Sequence, residues 1–292
     1  MDIVVILNGL GNQMSQYSFY LQKKKINKST YILNFCKDHN GLELNKVFNI
    51  HIKQTILHKI LFIPFRILLV KRVKFLKPLQ LLVRLLNFKI INENFDYKFN
   101  ANYLLPSKKI TFYLGGWPSE KYFPDVKNKI LSQFIFSKPT DRENTLHIKN
   151  INKTNSVSLH VRRGDYLDER NLNIFGKVCT KEYFEKAINI IEETVDDPHF
   201  FIFSNDFVWV KSNLQMSNVT YITCNHGENS WIDMYLMSIC KHNIISNSTF
   251  SWWGAWLNAN PNKKVISPGR YLNNDEYTDF YPESWIRLFN YE

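Results

Sequence analysis

The stretch SLHVRRGDYL, residues 158–167, joins the end of an apolar run to a polar loop with two adjacent arginines. Apolar positions alternate through its first half, which is typical of a β-strand. The residues that follow include His160, Arg162, Arg163 and Asp165. A strand that ends in a histidine, two guanidiniums and a carboxylate indicates a ligand site at that end of the strand.

The chain around this stretch alternates between predicted strands and predicted helices. The strands are predicted at residues 156–161, 199–204, 219–223, 243–247 and 263–267. The helices between them are predicted at residues 181–195, 207–214, 230–242 and 249–259. This alternation favours a parallel, doubly wound α/β sheet. Ligands of such sheets bind beyond the carboxyl ends of the strands, so the residues just after each strand are the informative ones.

The N-terminal half begins with a similar pattern. DIVVIL (2–7) is a continuous apolar run, as a buried parallel strand shows, and NGLGN (8–12) is a glycine turn. A helical pattern that ends in three lysines follows the turn. TFYLGGWPSEKYF (111–123) predicts another strand followed by a turn.

Residues 53–91 predict basic amphipathic helices that are broken at Pro64 and Pro78. Residues 138–145 are polar and include a proline, and they are the candidate domain boundary. The predicted domains are residues 1–150 and 151–292.

The composition indicates a globular protein of a reducing compartment. The 292 residues are 45% hydrophobic and 15% aromatic, which is enough for a sizeable core. Cys36, Cys179, Cys224 and Cys240 form neither a CxxC pair nor a zinc-binding spacing. The N-terminal apolar run is too short for a signal peptide, and no run of about 18 apolar residues is present to span a bilayer. We therefore expect a cytoplasmic protein.

The net charge of +11 belongs to one segment. Residues 44–92 hold ten of the 37 Lys and Arg residues and no Asp or Glu, which leaves 27 basic against 26 acidic residues elsewhere. Nucleic acid is one partner for such a patch, and an anionic membrane surface is another. A solvated helix face is the third interpretation. The membrane interpretation places the protein peripherally at the inner face of the plasma membrane.

Arg162 and Arg163 point to a phosphate ligand. The planar, permanently charged guanidinium matches two phosphate oxygens at once. The alternative is that one of the arginines, Arg163 in particular, forms a structural salt bridge with Asp165.

The other strand ends carry polar side chains with two interpretations each. Ser248 and Thr249 either bind an anion at a helix N-terminus or only cap the helix. Phe250 either stacks on a base or sugar or belongs to the core, and Asp206 either accepts from a guanine or ribose or caps the next helix. The remaining strand-end residues are Ser204, Asn205 and Asn247, and together with His160 they are further candidates for binding the same ligand.

Two motifs are absent. The sequence contains no Asp-x-Asp, so the usual carboxylate pair of a metal-bridged nucleotide–sugar site is missing. It contains no GxxxxGK[ST] either, which argues against a P-loop nucleotidase.

Four stretches in the same order resemble the bacterial α-1,2-fucosyltransferases of glycosyltransferase family 11. They are GLGNQM (9–14), HVRRGDY (160–166), FSNDFVWVK (203–211) and NSTFSWWGAWL (247–257). The resemblance implies a GT-B type enzyme with two Rossmann-like α/β domains and parallel doubly wound sheets. It also implies metal-independent, inverting transfer from GDP-fucose with no cofactor.

The resemblance implies roles for individual residues. Arg162 would hold the diphosphate, Ser248-Thr249-Phe250 resembles a donor-binding element of distantly related fucosyltransferases, and the Asn12 loop resembles their Gly-Asn loop. Domain 1–150 would then lie on the acceptor side and domain 151–292 would bind GDP-fucose. The general base stays open: Asp165 is a candidate, it alternatively orients an arginine, and the base could also come from the N-terminal domain.

The expected activity is transfer of L-fucose to the 2-hydroxyl of a galactoside during synthesis of a surface polysaccharide of the O-antigen type. The basic segment 44–92 would lie near the membrane, where a lipid-linked glycan acceptor would be found. One alternative is a GDP-fucose-dependent transferase with another acceptor linkage. The other is a basic nucleic-acid-binding protein, whereas the enzyme interpretation expects no nucleic acid as partner.

Overall fold

The computed structural model describes residues 1–37, 39–52, 56–70, 76–94, 96–274 and 278–289. It divides into two units, Met1–Ile135 and Phe136–Glu292. Each unit contains one sheet, and every strand pair in both sheets is parallel. The predicted α/β class with two parallel sheets is therefore confirmed.

Unit 1 is built on a four-stranded sheet in the order β2-β1-β4-β3. Its elements in chain order are β1 (Asp2–Ile6), α1 (Leu10–Ile26), β2 (Thr30–Asn34), α2 (Leu44–Val47), α3 (Ile56–Leu69), α4 (Lys77–Leu85), β3 (Phe88–Asn92), β4 (Ile110–Leu114) and α5 (Lys127–Gln133). Ile3 and Val5 share a core cluster with Leu61 and Phe65 of α3, because alternate residues of a strand face the same side of a sheet. The ring of Phe19, on α1, stacks on Trp117 with centroids 4.3 Å apart.

The predicted helical segment 53–91 differs from the structure in two places. Pro64 lies inside α3 and does not break it, whereas Pro78 lies in the first turn of α4, where the missing N–H costs nothing. The segment ends in strand β3 rather than in a helix, because Phe88, Ile90 and their neighbours pair in register with β4. Residues 53–55 and 71–75 of this prediction lie outside the described residues.

Unit 2 is built on a six-stranded sheet in the order β10-β9-β8-β5-β6-β7. Its elements in chain order are α6 (Arg142–Lys153), β5 (Asn155–Val161), α7 (Glu169–Leu172), α8 (Lys181–Thr194), β6 (Pro198–Ser204), α9 (Phe207–Asn213), β7 (Val219–Ile222), α10 (Trp231–Ile239), β8 (His242–Ile244), α11 (Thr249–Leu257), β9 (Val265–Pro268) and β10 (Ile286–Leu288). All five strands and all four helices predicted for this half are present with shifts of a few residues at their ends. The three-residue strand β10 was not predicted.

Helices cover both faces of the unit 2 sheet, as a doubly wound sheet requires. Phe200 and Ile202 of β6 pack in one buried cluster with residues of α8 and α9. Phe201 and Phe203, which point the opposite way, pack in another cluster with residues of α6 and α10. The alternation along one strand thus supplies both cores.

The division between the units lies about fifteen residues before the predicted boundary at 150/151. Helix α6 belongs to unit 2, because Ile148 and Ile151 are buried in the cluster with α10 and β6. The polar residues at 138–145 are partly its first turn, in which Asp141 caps the helix by accepting from the N–H of Asn144. No helix in the described part of the chain is long and apolar enough to cross a membrane.

Candidate active site

The carboxyl ends of three neighbouring strands bring the predicted residues of unit 2 together. Strand β5 lies between β8 and β6 in the sheet. The loop after β5 carries Arg162 and Arg163, and the loops after β6 and β8 contact it. Arg162 N–H donates to Ser246 Oγ at 3.1 Å, and Arg163 N–H donates to Asn205 Oδ1 at 2.9 Å. The sequence-predicted edge is therefore one connected network.

Arg162 is held by a two-point ion pair with Asp165. Its Nε donates to Asp165 Oδ1 at 2.9 Å and its Nη2 donates to Oδ2 at 2.8 Å. The guanidinium also lies 5.5 Å from the ring centre of Tyr166. About a third of the Arg162 side chain is exposed. Both carboxylate oxygens are occupied by one guanidinium, so the Nη1 donors of Arg162 face elsewhere with a fixed orientation.

Arg163 does not pair with Asp165, and this corrects the alternative that assigned it that partner. Its Nε donates to Asp206 Oδ2 at 3.4 Å, and its guanidinium lies 4.1 Å from the ring centre of Trp209. Two adjacent arginines leave a strand on opposite sides, so the two side chains reach different carboxylates. Arg163 therefore joins the loop after β5 to helix α9.

Residues Ser204, Asn205 and Asp206 shape the loop after β6. The Ser204 hydroxyl donates to the carbonyl of Val161 and accepts from the Asp206 N–H, which ties β6 to β5. Asn205 Oδ1 also accepts from the Gly164 N–H at 3.2 Å. A Cβ on Gly164 would lie 2.6 Å from Asn205 Nδ2, so a larger residue at this position would displace the Asn205 side chain. Asp206 caps α9 by accepting from the N–H of Trp209 at 3.0 Å.

The loop after β8 contains Asn247 and the first residues of helix α11. Asn247 is fully buried, and its Nδ2 donates to the carbonyls of Phe175 and Tyr271, so its side chain is committed to the fold. Ser248 caps α11 by accepting from the Phe250 N–H at 3.3 Å. Thr249 begins the helix, and the half-buried ring of Phe250 lies 6.0 Å from the ring of His160.

His160 is a buried titratable residue at this edge of the sheet. Its side chain is buried, and Nδ1 has no hydrogen-bond partner. Burial, reinforced by the charge of Arg162, lowers the pKa of His160 to about 3. The imidazole is therefore neutral at physiological pH and does not add charge beside Arg162.

The carboxyl edge of the unit 1 sheet carries a buried carboxyl group that the sequence prediction missed. Glu93 directly follows β3, and its Oε2 accepts from the N–H groups of Gly116 and Trp117 at 2.7 and 2.8 Å. A Cβ on Gly115 would lie only 2.4 Å from the Cβ of Glu93. The Glu93 side chain can therefore approach the backbone this closely only because residue 115 has no Cβ. Asn12 Oδ1 lies at the same edge, 3.7 Å from where a Cβ on Gly116 would be.

Two buried polar atoms at this edge have no hydrogen-bond partner within the described part of the chain. They are Glu93 Oε1 and Trp117 Nε1. Burial raises the pKa of Glu93 to about 7, although the two backbone N–H groups act in the opposite direction. Trp117 has a left-handed backbone with φ of 49°, a strained conformation for a bulky residue. Unpartnered buried atoms beside a strained residue and a carboxyl that titrates near neutrality mark a candidate functional site.

Comparisons with known proteins show the family of the chain. The model of Glycosyl transferase family 11 matches residues 2–288. The chain belongs to glycosyltransferase family 11. It is a glycosyltransferase, so the nucleic-acid-binding alternative is set aside.

Two bacterial relatives match this glycosyltransferase over nearly its whole length, and a third matches about half of it. It is 32% identical over 302 residues to an alpha-1,2-colitosyltransferase of Escherichia coli, which covers 99% of both chains. It is 31% identical over 303 residues to the O-antigen biosynthesis glycosyltransferase WbnK of E. coli, which covers 96% of this chain and 98% of the relative. A galactoside alpha-(1,2)-fucosyltransferase 1 of Leontopithecus chrysomelas is 28% identical over 154 residues, 49% of this chain and 42% of the relative.

A solved structure of similar fold is the fucosyltransferase NodZ from Bradyrhizobium. It aligns with a TM-score of 0.45 and 11% sequence identity, covering 87% of the glycosyltransferase and 91% of the other chain.

Proposed function

We propose that this glycosyltransferase moves L-fucose from GDP-fucose to the 2-hydroxyl of a galactoside, with inversion and without a metal, during synthesis of an O-antigen type polysaccharide. The observation that carries the proposal is the guanidinium of Arg162, which two hydrogen bonds to Asp165 hold at the carboxyl end of a central strand. A guanidinium fixed in this way presents its remaining donors to a diphosphate without further reorganisation.

The leaving group explains why fixed donors suit this reaction. When the bond between fucose and phosphate breaks, negative charge grows on the phosphate oxygens of GDP. Donors that already point at those oxygens stabilise the transition state more than the ground state. Ser248 and Thr249, at the start of the nine-residue helix α11, would add hydroxyl and backbone donors beside Arg162.

We assign the general base to Glu93 rather than to Asp165. Both oxygens of Asp165 accept from Arg162, so protonating Asp165 would break the pair that orients the arginine. Glu93 has one oxygen held by two backbone N–H groups and another without a partner. An acceptor hydroxyl at Oε1 would supply that partner, and a pKa of about 7 suits a group that takes up a proton at neutral pH.

Colitose is the second candidate for the transferred sugar. An alpha-1,2-colitosyltransferase is similar to this chain over 99% of its length. Colitose is fucose without its 3-hydroxyl, so the two donors differ by one polar group. A site that hydrogen-bonds the 3-hydroxyl would discriminate strongly against the sugar that lacks it.

We also propose that helices α3 and α4 bind an anionic membrane surface. Ile56, Ile60 and Ile63 recur at one-turn spacing on α3 and are 78%, 58% and 64% exposed, and Leu85 on α4 is 75% exposed. Basic side chains are interspersed with them, and residues 44–92 contain no acidic residue. Exposed apolar side chains among basic ones fit the boundary between headgroups and acyl chains.

The transfer is tested with the purified protein, GDP-fucose or GDP-colitose, and a panel of galactosides in EDTA. We expect one galactoside to gain the mass of a fucosyl group from GDP-fucose. The nuclear magnetic resonance spectrum of the product should show an α-linkage at the 2-hydroxyl. Transfer from GDP-colitose alone would replace the donor assignment, and transfer from neither sugar nucleotide would refute the proposal.

A further inference from the structure

A second cluster of chemically active side chains lies away from the arginines, between helix α6 and the end of edge strand β7. It consists of Glu143, His147 and Cys224, and we call it the α6–β7 cluster. One carboxylate oxygen, one imidazole nitrogen and the thiol sulfur lie within 4.8 Å of one another. Glu143 and His147 are four residues apart on α6 and so share a face of that helix. Cys224 follows β7 by two residues.

His147 is the independent sign that this cluster binds a ligand. The residue is only 8% exposed, and neither Nδ1 nor Nε2 has a hydrogen-bond partner among the described residues. Buried polar groups in proteins are almost always hydrogen-bonded, so a buried imidazole with two unpartnered nitrogens needs an explanation.

The surroundings hold the two chain segments of the cluster in place. Asn144, on α6, donates to Asn225 Oδ1 at 2.9 Å, and Asn225 donates to Asp233 Oδ1 at 2.8 Å. Asn144 and Asn225 are both buried. This chain of amide and carboxylate groups fixes the loop that carries Cys224 relative to α6. Such outer contacts are what orient the ligands of protein metal sites.

We infer that the α6–β7 cluster binds a divalent transition metal, with Zn²⁺ as the best match. A thiolate, a neutral imidazole and a carboxylate form a typical mixed ligand set for zinc, and water would complete the tetrahedron on the exposed side of Glu143. Zinc bonds of about 2.0–2.3 Å need only a modest closing movement of atoms already within 4.8 Å. Binding replaces the thiol proton of Cys224, which leaves for solvent as the sulfur–metal bond forms.

The site would stabilise unit 2 rather than take part in transfer. Its thiol follows the edge strand β7, whereas Arg162 follows β5, two positions further in the sheet. A metal there would join α6 to the sheet edge and stabilise the folded chain by mass action. The inference therefore does not depend on the donor sugar or the acceptor.

The test is a titration of the metal-stripped full chain with Zn²⁺ against a chromophoric chelator, followed by Co²⁺ substitution. We expect one bound ion per chain, a higher thermal midpoint, and a thiolate-to-cobalt charge-transfer band. Cys224→Ser and His147→Gln should each weaken binding at least about tenfold, because even outer partners of zinc sites contribute that much. Glu143→Gln should weaken it less, and because this residue is exposed the variant keeps the fold.

Cys36→Ser is the matched control, since it removes a half-buried thiol from unit 1 and should leave zinc binding unchanged. If the cluster variants unfold, alkylation of the wild-type chain decides the question. Zinc should then protect Cys224 from iodoacetamide while Cys36 reacts at its unprotected rate. Equal zinc affinity in wild type and Cys224→Ser, or alkylation of Cys224 that zinc does not slow, would overturn the inference.

Discussion

The carboxyl edges of the two parallel sheets carry functional groups of opposite chemical character. At the unit 2 edge, Arg162 and Arg163 are each held by a carboxylate. At the unit 1 edge, backbone N–H groups hold a buried carboxyl, Glu93, that titrates near neutrality. One edge presents fixed positive charge and the other presents a proton acceptor.

Under the proposed function, the two edges carry the kinds of group that the two electrostatic problems of a transfer reaction require. The departing diphosphate gains negative charge, which guanidiniums stabilise. The attacking hydroxyl must lose a proton, which a carboxylate of raised pKa accepts. Substitutions at both edges should therefore lower turnover, but only those at the unit 1 edge should abolish its dependence on pH near 7.

The largest effect is expected at the unit 1 edge. Glu93→Gln keeps an oxygen that can accept from the two backbone N–H groups but cannot take up a proton. General-base catalysis typically contributes about 10²–10⁴ in rate, so turnover should fall by about that factor. The wild-type rate should rise as the pH passes about 7, because Glu93 is protonated below its pKa and ionised above it. Initial rates between pH 5.5 and 9 measure both effects, and the rise should disappear in the variant.

Asp96→Asn is the control for local charge, because it removes a nearby exposed carboxylate whose charge helps to raise the pKa of Glu93. It should keep the rate at high pH and move the rise in rate only slightly, toward lower pH. A Glu93→Gln enzyme that folds, binds GDP-fucose and turns over at the wild-type rate would move the base elsewhere and leave Glu93 with a structural role at Gly116.

The next largest effect is expected at the unit 2 edge. Arg162→Lys keeps the charge but loses the planar fork, so it cannot hold Asp165 by two bonds and donate to a phosphate together. Loss of one preorganised donor typically costs about 10²–10³ in rate. We expect turnover to fall at least about a hundredfold, with a smaller loss of GDP affinity, in steady-state kinetics and calorimetry.

Arg163→Lys should be milder, because its contacts are structural ones to Asp206 and the Trp209 ring. It should lower the thermal midpoint more than the turnover. If folded Arg163→Lys loses its turnover while Arg162→Lys keeps a near-normal turnover, the roles assigned to the two arginines are exchanged. Activity in both variants would show that the arginines do not hold the diphosphate.

The sequence predicted the unit 2 edge well, because hydrophobic alternation located the strands and the polar residues at their ends. It could not predict which carboxylate each arginine binds, because Asp206 reaches Arg163 from a different loop and only the packing of α9 brings them together. It also could not show that the side chain of Asn247 donates hydrogen bonds to backbone carbonyls more than twenty residues away in the sequence.

Glu93 was missed for a different reason. The preceding residues were assigned to a basic helical segment that ends at residue 91, so the carboxylate did not appear to follow a strand. The run FKIIN, with two β-branched residues before Asn92, was the local signal for β3. The raised pKa itself depends on burial by the glycines after β4, which no local pattern shows.

A smaller effect is expected when basic residues of helices α3 and α4 in unit 1 are replaced. Changing Lys59, Arg66, Lys77 and Arg84 to glutamine should reduce binding to anionic vesicles at least about tenfold, since each basic residue near such a surface contributes about 1 kcal/mol. Sedimentation with anionic and neutral vesicles measures this, and salt should weaken the wild-type binding over a screening length of about 8–10 Å. Turnover of a soluble acceptor should stay almost unchanged.

The matched control removes four exposed lysines of unit 2, namely Lys149, Lys153, Lys181 and Lys186. The net charge then falls by the same amount, but vesicle binding should persist. Equal binding of the wild type to anionic and neutral vesicles, or equal loss in both variants, would reject helices α3 and α4 as the membrane surface.

The smallest expected effect is that of a chelator on turnover. A metal that bridges a sugar nucleotide needs free carboxylate oxygens, and the two carboxylates at the unit 2 edge, Asp165 and Asp206, instead hold arginines. We therefore expect initial rates in EDTA to equal those without it, while the thermal midpoint falls if zinc leaves the α6–β7 cluster.

Loss of activity that Mn²⁺ or Mg²⁺ restores would mean that a cation, and not Arg162, neutralises the leaving group. Loss that only Zn²⁺ restores, together with the lowered midpoint, would instead place the effect in the fold of unit 2. The two measurements thus separate a cation at the reacting phosphate from one that stabilises a helix against the sheet.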